Sequence, residues 1–340
     1  MLSCHMDERQ QVLPPGVVLH RATPADLPTV AAFLTLAHPE SPVAPEELEA
    51  QDARRLPGEP HVRTLAVREG GLVGLAETGV PRMDSHDGWL DVTVRTLPEL
   101  AGGPLAQALL AHAEEYALAH GAHTLVTRVR EDWWEKSFYE ARGYTEHDRM
   151  WVSTLDLRTL DPARFAGLEE RVRAAGVRIA PLSELVSDLG EAAQRQLYAL
   201  VAALLRDVPT TTPVSVWPFE VWQRRVPDRI NPQGLFLAVA PDGEWVGLSE
   251  LYLPIATRPG TLHNGLTGVL PAWRGCGLAL ALKLAAARAG LARGFTHSRT
   301  SNHAINLPML AVNERLGFVR EAALVMLTRE VSDSRQAGGG

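Results

Sequence analysis

A glycine-containing loop between an apolar strand and a helix is the first segment whose residue types and spacing suggest chemistry. Residues 274–279 read Arg-Gly-Cys-Gly-Leu-Ala and lead directly into an alanine- and leucine-rich helix. The first four N–H groups of a helix have no partner within it, and the helix dipole adds partial positive charge there. Together with the Arg274 guanidinium, these groups suit a phosphate or pyrophosphate. The alternative is a plain strand–turn–helix connection with glycines present for geometry alone.

The two cysteines and twelve histidines indicate neither a disulfide framework nor a metal site. Cys4 and Cys276 are too few for such a framework and lack the spacing of metal ligands. The histidines form no HxH or HxxxH cluster. We therefore expect no metal, and we expect Cys276 to contribute only its backbone N–H to the loop.

Composition limits the classes of function. The chain has 340 residues, enough for two domains, with 46% hydrophobic and 21% charged residues. A formal charge of −7 and a pI near 6.0 argue against a nucleic-acid partner. No apolar run is long enough to predict a membrane span, and the first residues lack the apolar core of a signal peptide. We expect a cytoplasmic protein with neither nucleic-acid nor membrane partners.

The order of predicted strands and helices occurs twice along the chain. Val73-Gly-Leu-Ala-Glu77 matches Val246-Gly-Leu-Ser-Glu250 at an offset of 173 residues, and Leu97-Pro98 matches Leu270-Pro271 at the same offset. A period this long indicates domain duplication. Each copy is predicted as a β-α-α-β-β-β-α-β-α-β module, with helices over 184–205 and 220–225 in the second. The predicted parts are a first domain (17–157), a linker helix (158–176), a second domain (177–330) and disordered tails (1–16 and 332–340).

This module order, combined with two motifs, resembles the GNAT N-acetyltransferase superfamily. Arg274, Gly277 and Ala279 fill the family's acyl-CoA loop pattern, Arg/Gln-x-x-Gly-x-Gly/Ala, and the segment 300–318 resembles its second hallmark. The resemblance implies an α/β (α+β) fold of two tandem domains, each a mixed twisted sheet flanked by helices. It also implies that acetyl-CoA binds where the fourth and fifth strands separate. The implied cofactor-binding residues are Val269, Leu270, Arg274, Gly275, Cys276, Gly277, Leu278, Ala279, Asn302 and Asn306.

The two copies of the loop are unequal. The offset of 173 places Ala101 where the second copy has Arg274, and Pro104 where it has Gly277. Proline removes one N–H and the missing arginine removes a phosphate partner. We predict that the first domain binds CoA poorly or not at all and has a structural role.

Direct acyl transfer needs a base for the amine and a donor for the carbonyl oxygen. The family resemblance implies a backbone N–H near Leu270 as that donor. Two residues are candidate bases: Glu250, a lone acid in an apolar strand, and His263, in the strand that leads into the loop. The alternatives are an exposed or arginine-paired Glu250 and an edge-strand His263.

The expected proton donor to the leaving thiolate is absent. Many family members have a tyrosine four residues before the glycine of the Gly-Phe pair, and Asn313 occupies that position here. An amide can donate a hydrogen bond to sulfur but cannot supply a proton. Tyr139 occupies the matching position in the first copy. The thiolate therefore departs with hydrogen-bond help only, or another group protonates it.

The helices after the first strand of the second domain should form the acceptor site. Asp207, Trp217, Glu220 and Trp222 would suit a cationic amine, unless they are core tryptophans and solvated acids.

The predicted function is acetyl-CoA-dependent N-acetylation of a small amine by the second domain, in a monomer with an internal pseudo-dimer or in a homodimer. A non-catalytic acyl-CoA-binding regulatory protein is the alternative, since Asn313 replaces the expected acid. A transferase that takes aminoacyl groups from tRNA is a third possibility, against which the acidic charge and intact CoA loop count.

Overall fold

Contacts within the chain divide it into two compact units. The computed structural model describes residues 13–81, 86–209, 211, 216–227, 230–254 and 257–331. Unit 1 comprises the described residues up to His147 and those from Leu324 onward, and unit 2 runs from Asp148 to Ala323. None of the helices in these ranges is both long and apolar enough to cross a bilayer. The predicted tails lie outside the described residues, except for 13–16, which end in a turn before the first strand.

Unit 1 is built on a mixed sheet in the order β1-β2-β3-β4-β5-β13. Neighbouring strands are antiparallel, except for the parallel pair β4 and β5. Labels follow chain order, and the elements of unit 1 are β1 (Val17–Arg21), α1 (Leu27–Ala37), α2 (Pro45–Asp52), β2 (His61–Arg68), β3 (Gly71–Gly79), β4 (Trp89–Thr96), α3 (Pro104–Ala119), β5 (Thr124–Arg130), α4 (Trp134–Glu140) and β13 (Leu324–Glu330).

In unit 2 the strands are paired in the order β6-β11-β10-β9-β8-β7, and β12 also pairs with β6. Its parallel pair is β10 and β11. The elements are β6 (Thr145–Asp156), α5 (Ala166–Ala174), β7 (Arg178–Pro181), α6 (Leu182–Leu185), α7 (Glu191–Arg206), α8 (Phe219–Arg225), β8 (Leu235–Val239), β9 (Trp245–Pro254), β10 (Thr261–Val269), α9 (Leu278–Ala292), β11 (His297–His303), α10 (Leu307–Leu316) and β12 (Val319–Arg320).

The sequence repeat is also a repeat of backbone contacts. In unit 1 the Leu97 N–H donates to the Val73 carbonyl at 3.2 Å, and in unit 2 the Leu270 N–H donates to the Val246 carbonyl at 2.8 Å. Both pairs fix the end of the fourth strand to the third, at the same offset of 173 residues. Equivalent positions in the two units can therefore be compared directly.

The last strand of each copy joins the sheet of the other unit. β6 follows α4 in the chain, yet it pairs with β11 of unit 2, from Met150 opposite His303 to Asp156 opposite His297. β13 follows β12 of unit 2 in the chain, yet it pairs with β5 of unit 1. This corrects the predicted domains 17–157 and 177–330, because contiguous boundaries cannot describe an exchange of strands.

Two helix predictions also need correction. The predicted linker helix 158–176 contains two short 3-10 turns and α5, whose Leu168 and Val172 are buried in the core of unit 2 against α9. This segment is therefore part of unit 2. The single helix predicted over 184–205 is two helices, α6 and α7, because α7 begins only after Gly190, its extended N-terminal cap.

Candidate active site

The gap expected between the fourth and fifth strands is present in unit 2. β10 and β11 pair only where residues 261–263 lie beside 297–299. At the point of separation, the Thr300 hydroxyl donates to the Asn264 carbonyl at 2.9 Å. The register of β10 against β9 also shifts on both sides of Asn264. The remainder of β10, up to Val269, therefore has one edge that is not paired with β11 in the described chain.

The loop after β10 has the geometry of an anion site. Gly277, the N-terminal cap of α9, has a φ of +86°, a left-handed conformation that favours glycine. Within the described residues, no backbone or side-chain acceptor takes the N–H groups of residues 275–280. A β-carbon at Gly277 would lie 2.5 Å from Leu168 Cδ1, so α5 packs closely behind the loop. The N–H groups at this helix end are thus available to a ligand.

A groove of about 400 Å³ extends from this loop along α10. Leu204 and Asp207, at the end of α7, form one side, and Met309 of α10 forms another. Among the predicted cofactor-binding residues, those that line the groove are Val269, Arg274, Gly275, Gly277, Leu278, Ala279 and Asn306. Leu270, Cys276 and Asn302 are not among its lining residues; Cys276 is exposed, and its thiol lies 3.1 Å from the Trp273 carbonyl.

The expected oxyanion donor at Leu270 is not available. The Leu270 N–H donates a hydrogen bond to the Val246 carbonyl of β9, so it is already occupied. Val269 is different, because its carbonyl accepts from Arg274 Nε at 2.9 Å on the groove side. The N–H and C=O of one strand residue point to the same edge, so the Val269 N–H also faces the groove.

Asp207 lies in the groove, which differs from its predicted place in the acceptor pocket. Its carboxylate accepts from the terminal nitrogen of Arg274 at 2.7 Å, and both side chains are partly exposed. The predicted phosphate-binding guanidinium is therefore held between a carboxylate and the Val269 carbonyl.

The three asparagines near the strand gap have different roles. Asn306 caps α10, since its side-chain oxygen accepts from the Met309 N–H at 3.3 Å. Asn313 is buried and donates one amide hydrogen to Asn302 Oδ1 at 2.6 Å. Among the described residues, the Asn313 amide oxygen has no partner. The residue at the position where the sequence resemblance led us to expect a tyrosine is thus fixed by a neighbouring side chain.

A second cavity of about 310 Å³ lies beside the groove. Tyr198, Trp217 and Trp222 line it together with aliphatic side chains. Glu250 is the one acid among its described lining residues; Glu220, predicted for this pocket, is exposed and is not part of that described lining. Leu205 and Leu266 line this cavity, whereas their neighbours Leu204 and Thr267 line the groove, so the two cavities adjoin along α7 and β10.

His263 lies on β10 before the strands separate, and it lines neither described cavity. Burial, aided by the charges of Arg299 and Lys283, lowers the pKa of His263 below its ordinary 6.5. Its imidazole is therefore neutral at pH 7. Sequence reasoning missed the adjacent Asn264, whose amide donates to the Glu250 carbonyl at 2.9 Å and thereby fixes the strand that bears Glu250.

In unit 1 the equivalent strand gap is filled by Tyr139. Its hydroxyl donates to the Val92 carbonyl at 3.0 Å and accepts from the Val94 N–H at 2.9 Å, so both edge groups of β4 are occupied. The side chain is completely buried, and this burial raises the pKa of Tyr139 to about 12. Tyr139 thus closes the place where unit 2 has Asn313 and an open edge of β10.

Three polar side chains also fill the remainder of that groove in unit 1. Arg95 and Glu135 occupy the positions that Gly268 and Met309 hold in unit 2, and His38, like Asp207, follows the first long helix. Glu135 is completely buried, 2.8 Å from His38 Nε2 and 3.7 Å from Arg95 Nε. Unit 1 therefore has bonded side chains where unit 2 has a groove.

The counterpart of Glu250 in unit 1 is Glu77, which guanidinium groups neutralise. Burial opposes its ionisation, but hydrogen bonds from His61 and Arg63 and the charge of Arg63 outweigh this and lower the pKa of Glu77 to about 2. Asp52, His61 and Glu77 bring three potential metal-ligand atoms within 4.8 Å of one another. Arg63 donates to both carboxylates, which opposes a cation there.

No protein-family model and no curated protein sequence matches this chain. Solved structures do match over nearly its whole length. A GCN5-related N-acetyltransferase from Sphaerobacter thermophilus is 21% identical with a TM-score of 0.70, covering 95% of this chain and 98% of its own. A tandem GNAT protein from the clavulanic acid biosynthesis pathway is 19% identical with a TM-score of 0.69, covering 94% and 99%.

A third structure is the glucosamine N-acetyltransferase region of a fungal multi-domain GH3 beta-N-acetylglucosaminidase. It is 16% identical with a TM-score of 0.66, and the match covers 94% of this chain but 38% of that protein. Identities this low establish similarity of fold alone. The chain has the fold of these GCN5-related N-acetyltransferases.

Proposed function

We propose that this protein is an acetyl-CoA-dependent N-acetyltransferase whose active site lies in unit 2. The main support is the groove that joins the N–H groups of residues 275–280 and Arg274 to the unpaired edge of β10. This arrangement offers a cationic, donor-rich end for a pyrophosphate and a strand edge for an extended amide-bearing arm. Unit 1, in which Tyr139 and the Arg95–Glu135 pair fill the same place, has the structural role.

The adjoining cavities suggest how transfer would proceed. The amine nitrogen attacks the thioester carbonyl carbon from the side of the second cavity, and Glu250 there accepts the amine proton. The Val269 N–H stabilises the carbonyl oxygen as it becomes anionic. The C–S bond then breaks, and the electron pair leaves with the CoA thiolate. Water protonates this thiolate in the absence of a tyrosine at residue 313.

A regulatory acyl-CoA-binding protein is the second candidate, and Asn313 is the observation that favours it. The side chain is buried, bonded to Asn302 and unable to supply a proton. Such a protein would use the groove to sense CoA or acyl-CoA without transferring the acyl group. The cavity beside the groove, whose described lining includes the Glu250 carboxylate, favours the enzyme.

Two measurements on the purified full-length chain test the proposal. Calorimetric titration with CoA should give saturable binding with one site per chain. Thiol release from acetyl-CoA should then depend on an added primary amine, with an acetylated amine detected by mass spectrometry. Saturable CoA binding without an acetylated product from any amine of a broad panel would favour the regulatory protein.

A further inference from the structure

We infer that the protein binds the 3′-phosphate of CoA through three arginines, Arg164, Arg171 and Arg315, and so distinguishes CoA from its 3′-dephospho form. This inference rests on the proposed acetyltransferase function and adds a second anchoring contact for the cosubstrate of that site. The three side chains line a cavity of about 230 Å³, here called the arginine cavity.

The arginine cavity adjoins the groove at the first turn of α9. Leu280 of α9 and Arg315 of α10 line both spaces. Leu168, which lines the arginine cavity, also packs behind the loop, since a β-carbon at Gly277 would lie 2.5 Å from its Cδ1. A ligand whose pyrophosphate lies on the N–H groups of residues 275–280 would therefore have this cavity within reach of its neighbouring groups.

The fold brings the three guanidinium groups together from separate segments. Arg164 lies in the 3-10 turn before α5, Arg171 in α5 and Arg315 in the last turn of α10. A β-carbon at Gly167 would lie 3.7 Å from Arg171 Nη1, so this guanidinium lies back along α5, toward Arg164. Like charges at one cavity repel one another, and an anion bound among them removes this repulsion.

The acids beside these arginines in sequence are bonded to other side chains: Glu169 to Arg288, Glu170 to Arg173 and Glu314 to Arg320. Within the described part of the chain, no carboxylate pairs with Arg164, Arg171 or Arg315. All three side chains belong to exposed residues. Their N–H donors can therefore meet a ligand that enters from solvent.

The chemistry of CoA specifies which group would bind there. CoA carries a pyrophosphate and, on the ribose of the same nucleotide, a 3′-phosphate monoester with a charge of about −1.5 to −2 at pH 7. In the proposed function the pyrophosphate takes the N–H groups of residues 275–280, which leaves the 3′-phosphate as the second anionic group. Guanidinium groups bind phosphate oxygens in pairs, so three of them suit this monoester.

The cluster is not repeated in unit 1. Gly317 corresponds to Gly143 at an offset of 174 residues, and the same offset places Ala141 where unit 2 has Arg315. Unit 1 therefore lacks the arginine that lines both spaces in unit 2, in addition to the counterpart of Arg274.

The first test compares two nucleotides that differ only in this phosphate. Calorimetric titration of the full chain with CoA and with 3′-dephospho-CoA should give a Kd at least about tenfold lower for CoA, equal to about 1.4 kcal/mol. The difference should shrink at high salt, because the arginines are exposed. Equal affinities for the two nucleotides would overturn the inference.

A double variant assigns the difference to the arginines. Arg164→Gln combined with Arg171→Gln removes two cations without altering the lining of the groove. It should weaken CoA about tenfold and leave 3′-dephospho-CoA unchanged, and the second result also shows that the variant folds. Arg173→Gln is the matched control, because Arg173 is an exposed arginine of the same helix that pairs with Glu170. Equal losses for both nucleotides in the double variant, or the same selective loss in the control, would contradict the contact.

Turnover then separates this inference from the proposed function. With acetyl-3′-dephospho-CoA in place of acetyl-CoA, KM should rise about tenfold while kcat stays the same, because a contact remote from the thioester contributes equally to the ground state and the transition state. Equal KM values, with an acetylated amine formed, overturn the phosphate contact and leave the acetyltransferase intact. Selective CoA binding that the double variant abolishes, without an acetylated product from any amine, supports the contact and overturns the acetyltransferase. Binding of neither nucleotide overturns both.

Discussion

The Asp207 carboxylate holds the Arg274 guanidinium at 2.7 Å, at the loop proposed to receive a pyrophosphate. An anionic ligand would have to take the guanidinium from this carboxylate and would also be repelled by it. Both side chains are substantially exposed, so the pair itself contributes at most about 1 kcal/mol.

Asp207→Asn should therefore tighten CoA binding. Two unit charges 4 Å apart interact by about 1 kcal/mol in water, so removal of the repulsion predicts about a fivefold lower Kd at low salt. Salt should reduce the difference. Calorimetry at two ionic strengths measures it, with Asp242→Asn as a control that removes a negative charge from a turn outside the groove. Weaker binding in Asp207→Asn would mean that Asp207 positions Arg274 for the ligand.

Gly277→Ala should reduce CoA affinity more than tenfold. Alanine is strained at the φ of +86° that Gly277 adopts, and its β-carbon would lie 2.5 Å from Leu168 Cδ1, so the loop should relax and its N–H groups should lose their alignment. Each hydrogen bond to a charged group is worth about 1.5–3 kcal/mol, so loss of one suffices. Gly294→Ala is the matched control, because Gly294 has the same φ of +86° with open space around it and lies after α9. Equal affinities in the two variants would refute the role of the loop.

Lys283→Met should stabilise the protein at neutral pH. Lys283 is 2% exposed, near the Phe318 ring, and burial lowers its pKa from 10.5 to about 7. Between these two pH values the unfolded chain holds a proton that the folded chain has released, so stability rises with pH across this window. A shift of this size corresponds to several kcal/mol, on the order of 1.4 kcal/mol per pKa unit.

Denaturant unfolding at pH 7 and pH 10 measures this effect. The wild type should be more stable at pH 10 by this contribution, and Lys283→Met should lose much of the difference. Lys136→Met is the control, because Lys136 forms an i,i+4 pair with Glu140 on a helix surface and should change stability by less than about 1 kcal/mol. An unchanged pH dependence in Lys283→Met would show that Lys283 stays protonated in the fold.

Glu250→Gln should lower kcat far more than His263→Gln. Loss of a general base typically costs about 10²- to 10⁴-fold in rate, and Glu250 lines the second cavity beside the groove whereas His263 does not. His263→Gln should retain activity within about tenfold. If His263 were the base, the rate would fall with acid only below pH 6.5, since its pKa is lowered, and His263→Gln would abolish that limb. The pH dependence of kcat/KM for all three proteins distinguishes these outcomes.

Tyr139→Phe should destabilise the protein without affecting CoA binding. The hydroxyl satisfies the Val92 carbonyl and the Val94 N–H in a fully buried site. A buried polar group left without its partner costs about 1–3 kcal/mol. Thermal unfolding should show this loss, while calorimetry should still give one CoA site per chain with unchanged affinity. A second CoA site in Tyr139→Phe would show that unit 1 binds CoA once its gap is opened.

Local sequence predicted most of the elements and the position of the loop between β10 and α9. The strand Leu235–Val239 and the helix Leu278–Ala292 follow from short-range patterns, such as apolar runs and glycine at a helix start. The sequence also showed the duplication and the differences between Ala101 and Arg274 and between Pro104 and Gly277. These features depend only on residues that are close in the chain or related by one fixed offset.

The tertiary structure decided what depends on distant residues meeting. β6 and β13 both read as final strands of a module, and only their pairing partners reveal that they are exchanged. His38, Arg95 and Glu135 are far apart in sequence, so their shared occupation of the groove in unit 1 has no local signal. Asp207 and Glu250 are both acids near apolar residues in the sequence. In the structure Asp207 bonds Arg274 in the groove and Glu250 lines the second cavity, because α7 packs against the sheet between them.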